Sequence, residues 1–555
     1  MPSPLETILR YHDETKHHPH RYARSAGYLD WDTQPHPFRH FEGAAVVRLP
    51  WREDDDTPPY ESLFVPGAVE PVPLSLPMIS RFFELALAIS AWKRHGGVAW
   101  ALRCNPSSGN LHPTEGYVVL PPLAELDGEA GVYHYDPREH ALERRLELPR
   151  ATFDALVASP QPMSHRPFLA GLSSIHWREA WKYGERAYRY CQLDLGHAVA
   201  CLRLSAAALG WRVTVIGAAG DSDVEALLGL DRAAEFVREE REVPGPLAVV
   251  FPSTLGEVPH VDLDVATSVA RLRTNGRANR LSPEHVKWPI IEATAEAAWK
   301  PRTPPIEIVR EGSLPSAVPP PPVRPCTARL LIRERRSAVA FDGTTAMPRQ
   351  AFERLLMLLL PDEAGQRPPW DAIDWQAAVH LILFVHAIEG LDAGLYAFVR
   401  SPAALARLKA ATRMELAWEA PPGWPLKAPL YLLQRGEWRA RAARLSLGQE
   451  IAGDGAFSLG MLAEFEDPLR SLGPWFYRRL FWEAGLIGQI LYLEAEAAGL
   501  RGTGIGAYFD DLVHEALGLK GRSFQSLYHF TVGGPVEDTR ITSLPAPCGG
   551  AATKE

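Results

Sequence analysis

Residues 188–230, YRYCQLDLGHAVACLRLSAAALGWRVTVIGAAGDSDVEALLGL, return later in the same chain as residues 477–519, YRRLFWEAGLIGQILYLEAEAAGLRGTGIGAYFDDLVHEALGL. At a constant offset of 289 and without gaps, about 18 of the 43 aligned positions are identical. Each stretch reads as a long apolar helix, a glycine, a short strand ending in Ile-Gly-Ala, an acidic residue and a second helix. Self-similarity of this length indicates a tandem duplication.

Further matches upstream extend the repeated unit. Gly131-Val132-Tyr133 corresponds to Gly394-Leu395-Tyr396, and a strand-like apolar run precedes each of them. Strands between long buried helices predict α+β units. Two copies in one chain can pack about an approximate two-fold axis, as a homodimer does. A site at the seam between the copies would therefore draw residues from both halves.

Composition limits the class of protein. The chain has 555 residues, 46% of them hydrophobic and 23% charged, with a formal charge of -9. This composition excludes a wholly disordered chain, and the acidic balance argues against a nucleic-acid-coating protein. We predict a cytoplasmic protein with no membrane partner, because the sequence has neither an apolar run of about 20 residues nor a secretory signal. The five cysteines form no CxxC pair, and the spacing of the N-terminal histidines fits no metal site.

A proline-rich stretch, including four consecutive prolines at 319–322, lies near the middle of the chain. Such a segment is stiff and cannot continue a helix, so it reads as a linker. The predicted divisions are a first domain at 1–299, the linker at 300–326, a second domain at 327–545 and a tail at 546–555.

Three segments have the residue types for ligand binding, and each has a plainer interpretation. Residues 105–113, NPSSGNLHP, offer hydroxyls, an amide and backbone N–H groups, although they could form only a turn. Residues 333–337, RERRS, could hold a phosphate or could be a solvated charge run. Residues 502–506, GTGIG, would let a planar ligand approach the backbone, or would form a tight turn. The first segment has no counterpart in the second copy, and the other two have none in the first.

Together with KYGERAYRY at 182–190 and the N-terminal YHDETKHH and LDWDTQPHPF, these segments resemble the nitroreductase-like FMN-dependent oxidoreductases. The first half is similar in particular to SagB/ThcOx-type dehydrogenases. The resemblance implies an α+β fold of two tandem nitroreductase-like domains that form an intramolecular pseudo-dimer, with FMN at their interface. It covers most of both halves, apart from the linker and the last dozen residues.

The resemblance also implies which residues bind FMN. The first copy would supply Pro106, Ser107, Ser108 and Asn110. The second would supply Arg335, Arg336 and Ser337 at the phosphate end, a glycine-rich loop with Gly504 and Gly506 near the flavin, and Arg540 as a looser match. The complementary losses in the two copies fit one composite site and one degenerate site.

Lys182 and Tyr183 match a Lys-Tyr pair that SagB-type enzymes use as acid and base. Such a pair is chemically sensible, because removing hydride from a carbon beside a heteroatom also requires a proton acceptor. The alternative is a surface lysine beside a packed tyrosine. The second copy has Ser471 and Leu472 at these positions.

The sequence therefore predicts an FMN-dependent oxidoreductase that passes hydride between a substrate carbon and flavin N5, with azoline oxidation in a modified peptide as one substrate class. Two alternatives stay open at this point, an NAD(P)H-dependent nitro or quinone reductase and a flavin-free scaffold of a biosynthetic complex. The partners expected from the sequence are a small-molecule or modified-peptide substrate and other biosynthetic enzymes. One active site would need no further oligomerisation.

Overall fold

Two long apolar helices, one from each half of the chain, form the centre of the molecule. The computed structural model describes residues 2–159, 161–306, 319–362, 364–424 and 429–546. The helices of the first half are α1 Pro4–Glu14, α2 Leu76–Ala86, α3 Arg150–Leu156, α4 His176–Tyr183, α5 Ala187–Ala208, α6 Asp221–Leu228, α7 Leu263–Ser268 and α8 Pro289–Ala297. Those of the second are α9 Ala328–Glu334, α10 Arg349–Leu358, α11 Pro402–Ala411, α12 Arg439–Leu445, α13 Ile451–Asp454, α14 Glu466–Ser471, α15 Phe476–Ala497 and α16 Asp510–Leu517.

The strands form one large antiparallel sheet in each half. The first half contains β1 Phe41–Glu42, β2 Ala45–Arg48, β3 Ile89–His95, β4 Val98–Arg103, β5 Thr114–Leu120, β6 Ala130–Asp136, β7 Ala141–Leu148, β8 Phe168–Ser174, β9 Trp211–Val215, β10 Val243–Pro252 and β11 Arg277–Ala278. The second contains β12 Val379–Val385, β13 Gly394–Phe398, β14 Leu430–Arg435, β15 Phe457–Glu464, β16 Arg501–Ile505, β17 Phe524–Gly533 and β18 Thr542–Pro545.

The two sheets share one strand order, which confirms the duplication. The first runs β2-β7-β6-β5-β8-β10-β9, and the second runs β14-β13-β12-β15-β17-β16. The predicted strand pairs coincide with β5 and β12 and with β6 and β13. The chain therefore has the α+β architecture of two related units, as the repeat predicts.

Helices α5 and α15 cross at two glycines that occupy equivalent positions of the repeat. A methyl group on Gly196 would lie 2.2 Å from the carbonyl oxygen of Trp482, and one on Gly485 would lie 2.3 Å from that of Leu193. All side chains of both helices are buried. The missing side chains let the two backbones touch, so this crossing marks the approximate two-fold axis. We call the contact between the two halves the seam.

Two equivalent ion pairs flank this crossing. Arg189 of α5 bonds Asp510 of α16 at 2.8 Å, and Arg478 of α15 bonds Asp221 of α6 at 2.8 Å. Each pair joins the two halves, and an offset of 289 converts one pair into the other. The recurrent Tyr-Arg of the two copies therefore belongs to the shared fold, as expected of a residue pair present in both.

Both ends of the chain reach across the seam. At the N-terminus, His12 at the end of α1 lies 3.1 Å from the Gln525 side chain, and Lys16 pairs with Asp511 at 2.9 Å. At the other end, β18 extends the β3-β4 hairpin of the first half into a three-stranded sheet. Within the described residues no helix is long and apolar enough to cross a membrane.

The proline-rich stretch is described only at its two ends, because residues 307–318 lie outside the described ranges. Arg324 donates its backbone N–H to the Ala497 carbonyl, and the Pro320 carbonyl accepts a bond from Arg354. The described parts of the predicted linker thus pack on both halves, since Thr303 also donates its backbone N–H to the Ala218 carbonyl of the first half. The domain boundaries stay a prediction, and all of the tail after residue 546 lies outside the described residues.

Candidate functional site

A cavity of about 450 Å³ opens at the seam and draws its walls from both halves. We call it the seam cavity. Of the residues predicted for a site, it is lined by Pro106, Ser107, Ser108, Asn110, Tyr183, Arg335, Arg336, Ser337, Gly504 and Gly506. Lys182 and Arg540 do not line it. The structure thus brings together ten predicted residues from four stretches that are far apart in sequence, at 106–110, 183, 335–337 and 504–506.

The first wall is the loop between β4 and β5, which carries the NPSSGNLHP stretch. Gly109, Asn110 and His112 have φ values of 60°, 60° and 51°. Residues other than glycine rarely adopt this left-handed backbone conformation. The Asn110 side chain holds this turn by donating to the Ala101 carbonyl at 2.9 Å. The backbone N–H of His112 donates to the Ser107 hydroxyl at 2.8 Å. The loop is therefore an unusual, tightly bonded structure and not an ordinary turn.

A buried carboxylate of α5 holds the same loop in place by hydrogen bonds. Asp194 accepts hydrogen bonds from the backbone N–H and the hydroxyl of Ser108, at 3.2 and 3.1 Å. Asp194 itself lines the cavity and is 2% exposed. Sequence reasoning missed this residue, although an acid within a long apolar helix was a visible signal.

The second wall is the segment after α9. Ser337 and Tyr492 share a hydrogen bond between their hydroxyls at 2.9 Å, and Arg335 packs over the Tyr492 ring at 4.9 Å. Arg335 also crosses the seam by donating to the Arg103 carbonyl at 3.0 Å. Arg336 donates to the carbonyls of Arg333 and Arg335 at 2.7 Å. Both guanidinium groups are thus held in place at the cavity wall and are not a freely solvated charge run.

The glycines at 502–506 belong largely to a strand, so the glycine-rich loop implied by the resemblance is wrong for this stretch. Gly502 and Gly504 lie in β16, and Gly506 follows it. Their missing side chains make room for aromatic rings: a methyl group on Gly504 would lie 1.8 Å from the Tyr528 hydroxyl oxygen, and one on Gly506 would lie 2.4 Å from the Tyr190 ring. The strand runs beside the second wall, since Ala338 donates its N–H to the Gly502 carbonyl.

Positive charge converges at one end of the seam cavity. Lys93 and Arg501 line it together with Arg336. Burial, and then the charge of Arg336, lowers the pKa of Lys93, while burial followed by the charge of Arg335 lowers the pKa of Arg336 to about 10. Repulsion between these cations favours an anion between them. No sequence pattern singles out Lys93, which lies on β3 outside the repeated segment.

Arg540, the looser match of the resemblance, lies outside this cluster. Its side chain is 76% exposed and pairs with Asp538 at 2.8 Å. Arg501, and not Arg540, lines the cavity beside Lys93 and Arg336. Arg501 also pairs with Glu537. The structure therefore does not bring Arg540 to the other predicted binding residues.

Tyr183 and Lys182 end helix α4, and they separate at the cavity. Tyr183 lines it and meets the Tyr190 ring edge-on, with centroids 4.7 Å apart. The Lys182 ammonium nitrogen lies 5.3 Å from the centroid of the Tyr183 ring. Burial, followed by the charge of Glu179, raises the pKa of Tyr183 well above its ordinary value. Tyr183 therefore stays protonated at neutral pH. Lys182 lies next to the Tyr183 ring and does not line the cavity.

Further buried side chains complete the lining, and the sequence had not marked them. His197 of α5 lies 3.2 Å from the Gln489 side-chain oxygen and 3.4 Å from the Tyr528 hydroxyl. Burial lowers the pKa of His197 to about 3, so it is neutral. Sequence patterns could not place it, because a histidine on a buried helix is more often a satisfied core residue.

Four of the lining residues carry polar atoms that find no hydrogen-bond partner among the described residues. These are Nε of Arg103, Nε of Arg335, Oδ1 of Asn105 and Nδ1 of His112. Buried polar atoms without partners are costly, so they indicate a ligand with hydrogen-bonding groups. A flat heterocycle with donors and acceptors on its edge and a phosphate at its far end fits this set, and FMN is such a molecule.

The equivalent position on the other side of the two-fold axis is filled by protein. A methyl group on Gly217, the counterpart of Gly506, would lie 1.3 Å from the Asp374 carboxylate. Asp374 pairs with Arg479 at 3.0 Å, and Arg479 packs over Trp375 at 4.8 Å. The second copy thus places the Asp374 carboxylate against Gly217, where the equivalent Gly506 faces the Tyr190 ring.

Comparisons with known proteins agree with this architecture. Residues 70–238 match the model of the nitroreductase family. A trifolitoxin-processing protein of Rhizobium leguminosarum, TfxB, is 40% identical over 135 residues, which are 23% of this chain and 35% of that protein. A putative nitroreductase of Methanocaldococcus jannaschii is 30% identical over 124 residues, 22% of this chain and 62% of that protein. The chain thus spans less than two thirds of either relative.

One solved structure matches nearly the whole chain. A putative nitroreductase from Anabaena variabilis superposes with a TM-score of 0.66 over 96% of this chain and 99% of its own, at 22% sequence identity. At that identity the likeness concerns the fold. It extends across both halves, so the two-unit arrangement is a known architecture.

Proposed function

We propose that this chain, whose residues 70–238 match the model of the nitroreductase family, is an FMN-dependent oxidoreductase of the SagB type. One observation carries the proposal. The residues that the resemblance assigns to FMN in two different units meet at one cavity, including Ser107 and Asn110 from the first half and Arg336 and Gly504 from the second.

The chain's own residues suit this cofactor. Lys93, Arg336 and Arg501 would hold the phosphate by charge-assisted hydrogen bonds. The unpaired atoms of Arg335, Asn105 and His112 would meet polar edges of the ligand. A bound FMN would supply a two-electron acceptor that takes hydride from a substrate carbon at N5. The protein would position the two reactants, exclude water and exchange the proton.

The substrate class we propose is a biosynthetic intermediate, such as an azoline-containing modified peptide. Its support is the SagB-type resemblance and the relative whose name describes the processing of trifolitoxin. Both favour oxidation during maturation of another molecule over nicotinamide-driven reduction of nitro compounds or quinones. Partners from the same biosynthetic system, and a cytoplasmic location, are part of this proposal.

The first test is the visible absorption spectrum of the purified protein. We expect bound flavin in the wild type. Asn110→Ala and the double change of Arg335 and Arg336 to Ala should each weaken flavin binding at least tenfold, whereas Arg435→Ala, on an exposed arginine of β14, should not. Protein that stays colourless after incubation with FMN would favour the scaffold alternative. Rapid NAD(P)H oxidation with a quinone would favour the reductase.

A further inference from the structure

A buried arginine of the first half holds a carbonyl group in the second half's wall of the seam cavity. Arg186 lies in the turn between α4 and α5 and is 1% exposed. Its Nε and one terminal nitrogen donate to the Gly506 carbonyl oxygen at 3.3 and 3.1 Å. Gly506 and Ala507 line the cavity, whereas Arg186 does not. The guanidinium group therefore acts on the cavity through this peptide group.

The rest of the Arg186 side chain is fixed by other contacts. Its remaining terminal nitrogen donates to the Thr15 carbonyl at 2.6 Å and pairs with Asp510 at 3.0 Å. Arg189 also pairs with Asp510, at 2.8 Å. Two guanidinium groups thus share one carboxylate, which leaves an excess of positive charge beside the Gly506 carbonyl.

The next carbonyl along the chain is also held by a side chain. Gln449 donates to the carbonyls of Ala507 and Ser446, both at 2.9 Å. The Ala507 backbone N–H, in contrast, has no hydrogen-bond acceptor among the residues that the structure describes. Backbone N–H groups of folded proteins are nearly always paired, so an unpaired one at a cavity wall is available to a ligand.

The Gly506 carbonyl and the Ala507 N–H belong to one trans peptide group. The two bonds of such a group point in opposite directions. Because Arg186 holds the oxygen, the N–H is aimed away from the guanidinium group. A cation on the oxygen also polarises the peptide, which makes its N–H a stronger hydrogen-bond donor.

The second copy of the repeat provides an internal comparison. At the offset of 289, Trp475 takes the position of Arg186, so this arginine is not part of the fold that the copies share. The equivalent carbonyl, that of Gly217, accepts from Arg479 at 3.4 Å, and Arg479 takes the position of Tyr190. Both copies thus place an arginine on this carbonyl, but only the peptide group that Arg186 holds lines the seam cavity.

We propose that Arg186 is a positioning residue, which fixes and polarises the Gly506–Ala507 peptide so that the Ala507 N–H donates a hydrogen bond to the ligand of the seam cavity. With FMN as that ligand, the inference rests on the proposed function. A donor backed by positive charge favours the form of a ligand that carries more negative charge, and a flavin ring gains negative charge on reduction. Arg186 therefore raises the reduction potential of the bound flavin.

Three variants separate this role from a general effect on folding. Arg186→Met removes the charge and its hydrogen bonds but keeps a long side chain, and Asp510 retains Arg189 as its partner. Arg186→Lys keeps the charge and a donor. Arg479→Met is the matched control, because it removes the equivalent contact at Gly217. Urea titration of all three measures how much of any effect comes from lost stability.

Nuclear magnetic resonance on the flavin-free, full-length protein tests the contact directly. Glycine labelled with ¹³C at the carbonyl and alanine labelled with ¹⁵N give a joint signal only from Gly-Ala peptide groups. The chain has six of these, at 43–44, 67–68, 217–218, 455–456, 506–507 and 550–551. The Ala507→Ser and Ala218→Ser variants assign the two signals of interest, since each variant removes one of them.

We expect Arg186→Met to move the Gly506 carbonyl signal upfield, because its oxygen loses a charged donor, and to leave the Gly217 signal in place. Arg479→Met should do the reverse. Arg186→Lys should restore part of the shift at Gly506.

The flavin-loaded protein tests the action on the ligand. Addition of FMN should move the Ala507 amide proton downfield in the wild type, as expected when an unpaired N–H gains an acceptor. In Arg186→Met the affinity for reduced relative to oxidised FMN should fall about tenfold, which lowers the two-electron midpoint potential by about 30 mV. Arg186→Lys should lie between this variant and the wild type, and Arg479→Met should match the wild type.

Three outcomes would overturn the inference. They are a Gly506 signal that does not move in Arg186→Met, an Ala507 amide that is indifferent to bound FMN, and a midpoint potential that changes equally in Arg186→Met and Arg479→Met. A wild type that binds no FMN would instead refute the proposed function, and with it the effect on the flavin. The signals of the flavin-free protein would still decide whether Arg186 holds the peptide.

Discussion

At the scale of single residues, the site depends on what is missing as much as on what is present. Gly504 and Gly506 have no side chains, and the rings of Tyr528 and Tyr190 occupy the space. The tyrosines in turn stand at the cavity wall. The glycines are therefore required by their aromatic neighbours, and not by a loop that must bend around a ligand.

Gly504→Ala tests this reading. The added methyl group would lie 1.8 Å from the Tyr528 hydroxyl oxygen, so strand β16 or the ring must move. We expect a loss of about 1–3 kcal/mol in the free energy of unfolding, measured by urea titration, together with weaker flavin binding. Gly256→Ala is the matched control, because nothing lies within 4 Å of that position. Equal effects of the two changes would contradict the packing argument.

Asp510 makes a prediction about acid stability. Burial would raise its pKa, but the charges of Arg186 and Arg189 outweigh burial and hold the pKa well below its usual value. A carboxyl group whose pKa is depressed in the folded state stabilises the protein at pH values above its unfolded-state pKa of about 3.9. This contribution is lost as the pH falls toward the folded-state pKa. The seam should therefore weaken in acid.

Asp510→Asn should remove that contribution and leave two buried arginines without a counter-charge. We expect the free energy of unfolding to fall by about 3–5 kcal/mol at pH 7. The difference in this free energy between variant and wild type should become smaller below pH 4. Urea titrations at several pH values measure it. The equivalent change Asp221→Asn, which strips Arg478 of its partner, should also destabilise at pH 7, whereas Asp467→Asn should stay within about 0.5 kcal/mol of the wild type.

At the scale of elements, the crossing of α5 and α15 decides how the halves meet. Alanine normally stabilises a helix interior by about 1 kcal/mol relative to glycine. At Gly196 and Gly485 the added methyl group would strike backbone carbonyl oxygens, which cannot rotate away. The sign of the usual effect should therefore reverse.

We expect Gly196→Ala and Gly485→Ala each to lower the thermal unfolding midpoint, and to do so by similar amounts because the two positions are equivalent. Differential scanning calorimetry measures both. A raised midpoint in either variant would mean that the helices can separate at no cost, and that the crossing does not hold the halves together.

Elements also show how far sequence reasoning reaches. The repeat predicted both long helices, several strands and a site at the seam, because apolar periodicity and self-similarity can be read from the sequence alone. It could not find Lys93 or Asp194, because the neighbours that matter to Lys93 are Arg336 and Arg501, and the loop that Asp194 holds is 86 residues away in sequence. The resemblance placed Arg540 at the phosphate end, yet its pairing with the nearby Asp538 draws it outward. A sequence motif does not show that a nearby carboxylate such as Asp538 can pair with the arginine that the motif assigns to a phosphate.

At the scale of the whole molecule, we expect the two-fold arrangement to be used only once. At the position equivalent to Gly506, Asp374 lies against Gly217 and pairs with Arg479. We therefore expect a flavin-to-protein ratio close to one per chain, from absorbance of released flavin and amino-acid analysis. A ratio near two would show that these side chains move aside and that the second position still binds.

The seam cavity has one more consequence, for the behaviour of the protein on dilution. A site built between two separate subunits is lost when the dimer dissociates, and its activity per molecule falls at low concentration. Here both walls belong to one chain, so each half meets the other at an effective concentration fixed by the connection between them. Specific activity should accordingly be independent of protein concentration, and a cell holding only a few copies of this chain would have as many complete sites as copies.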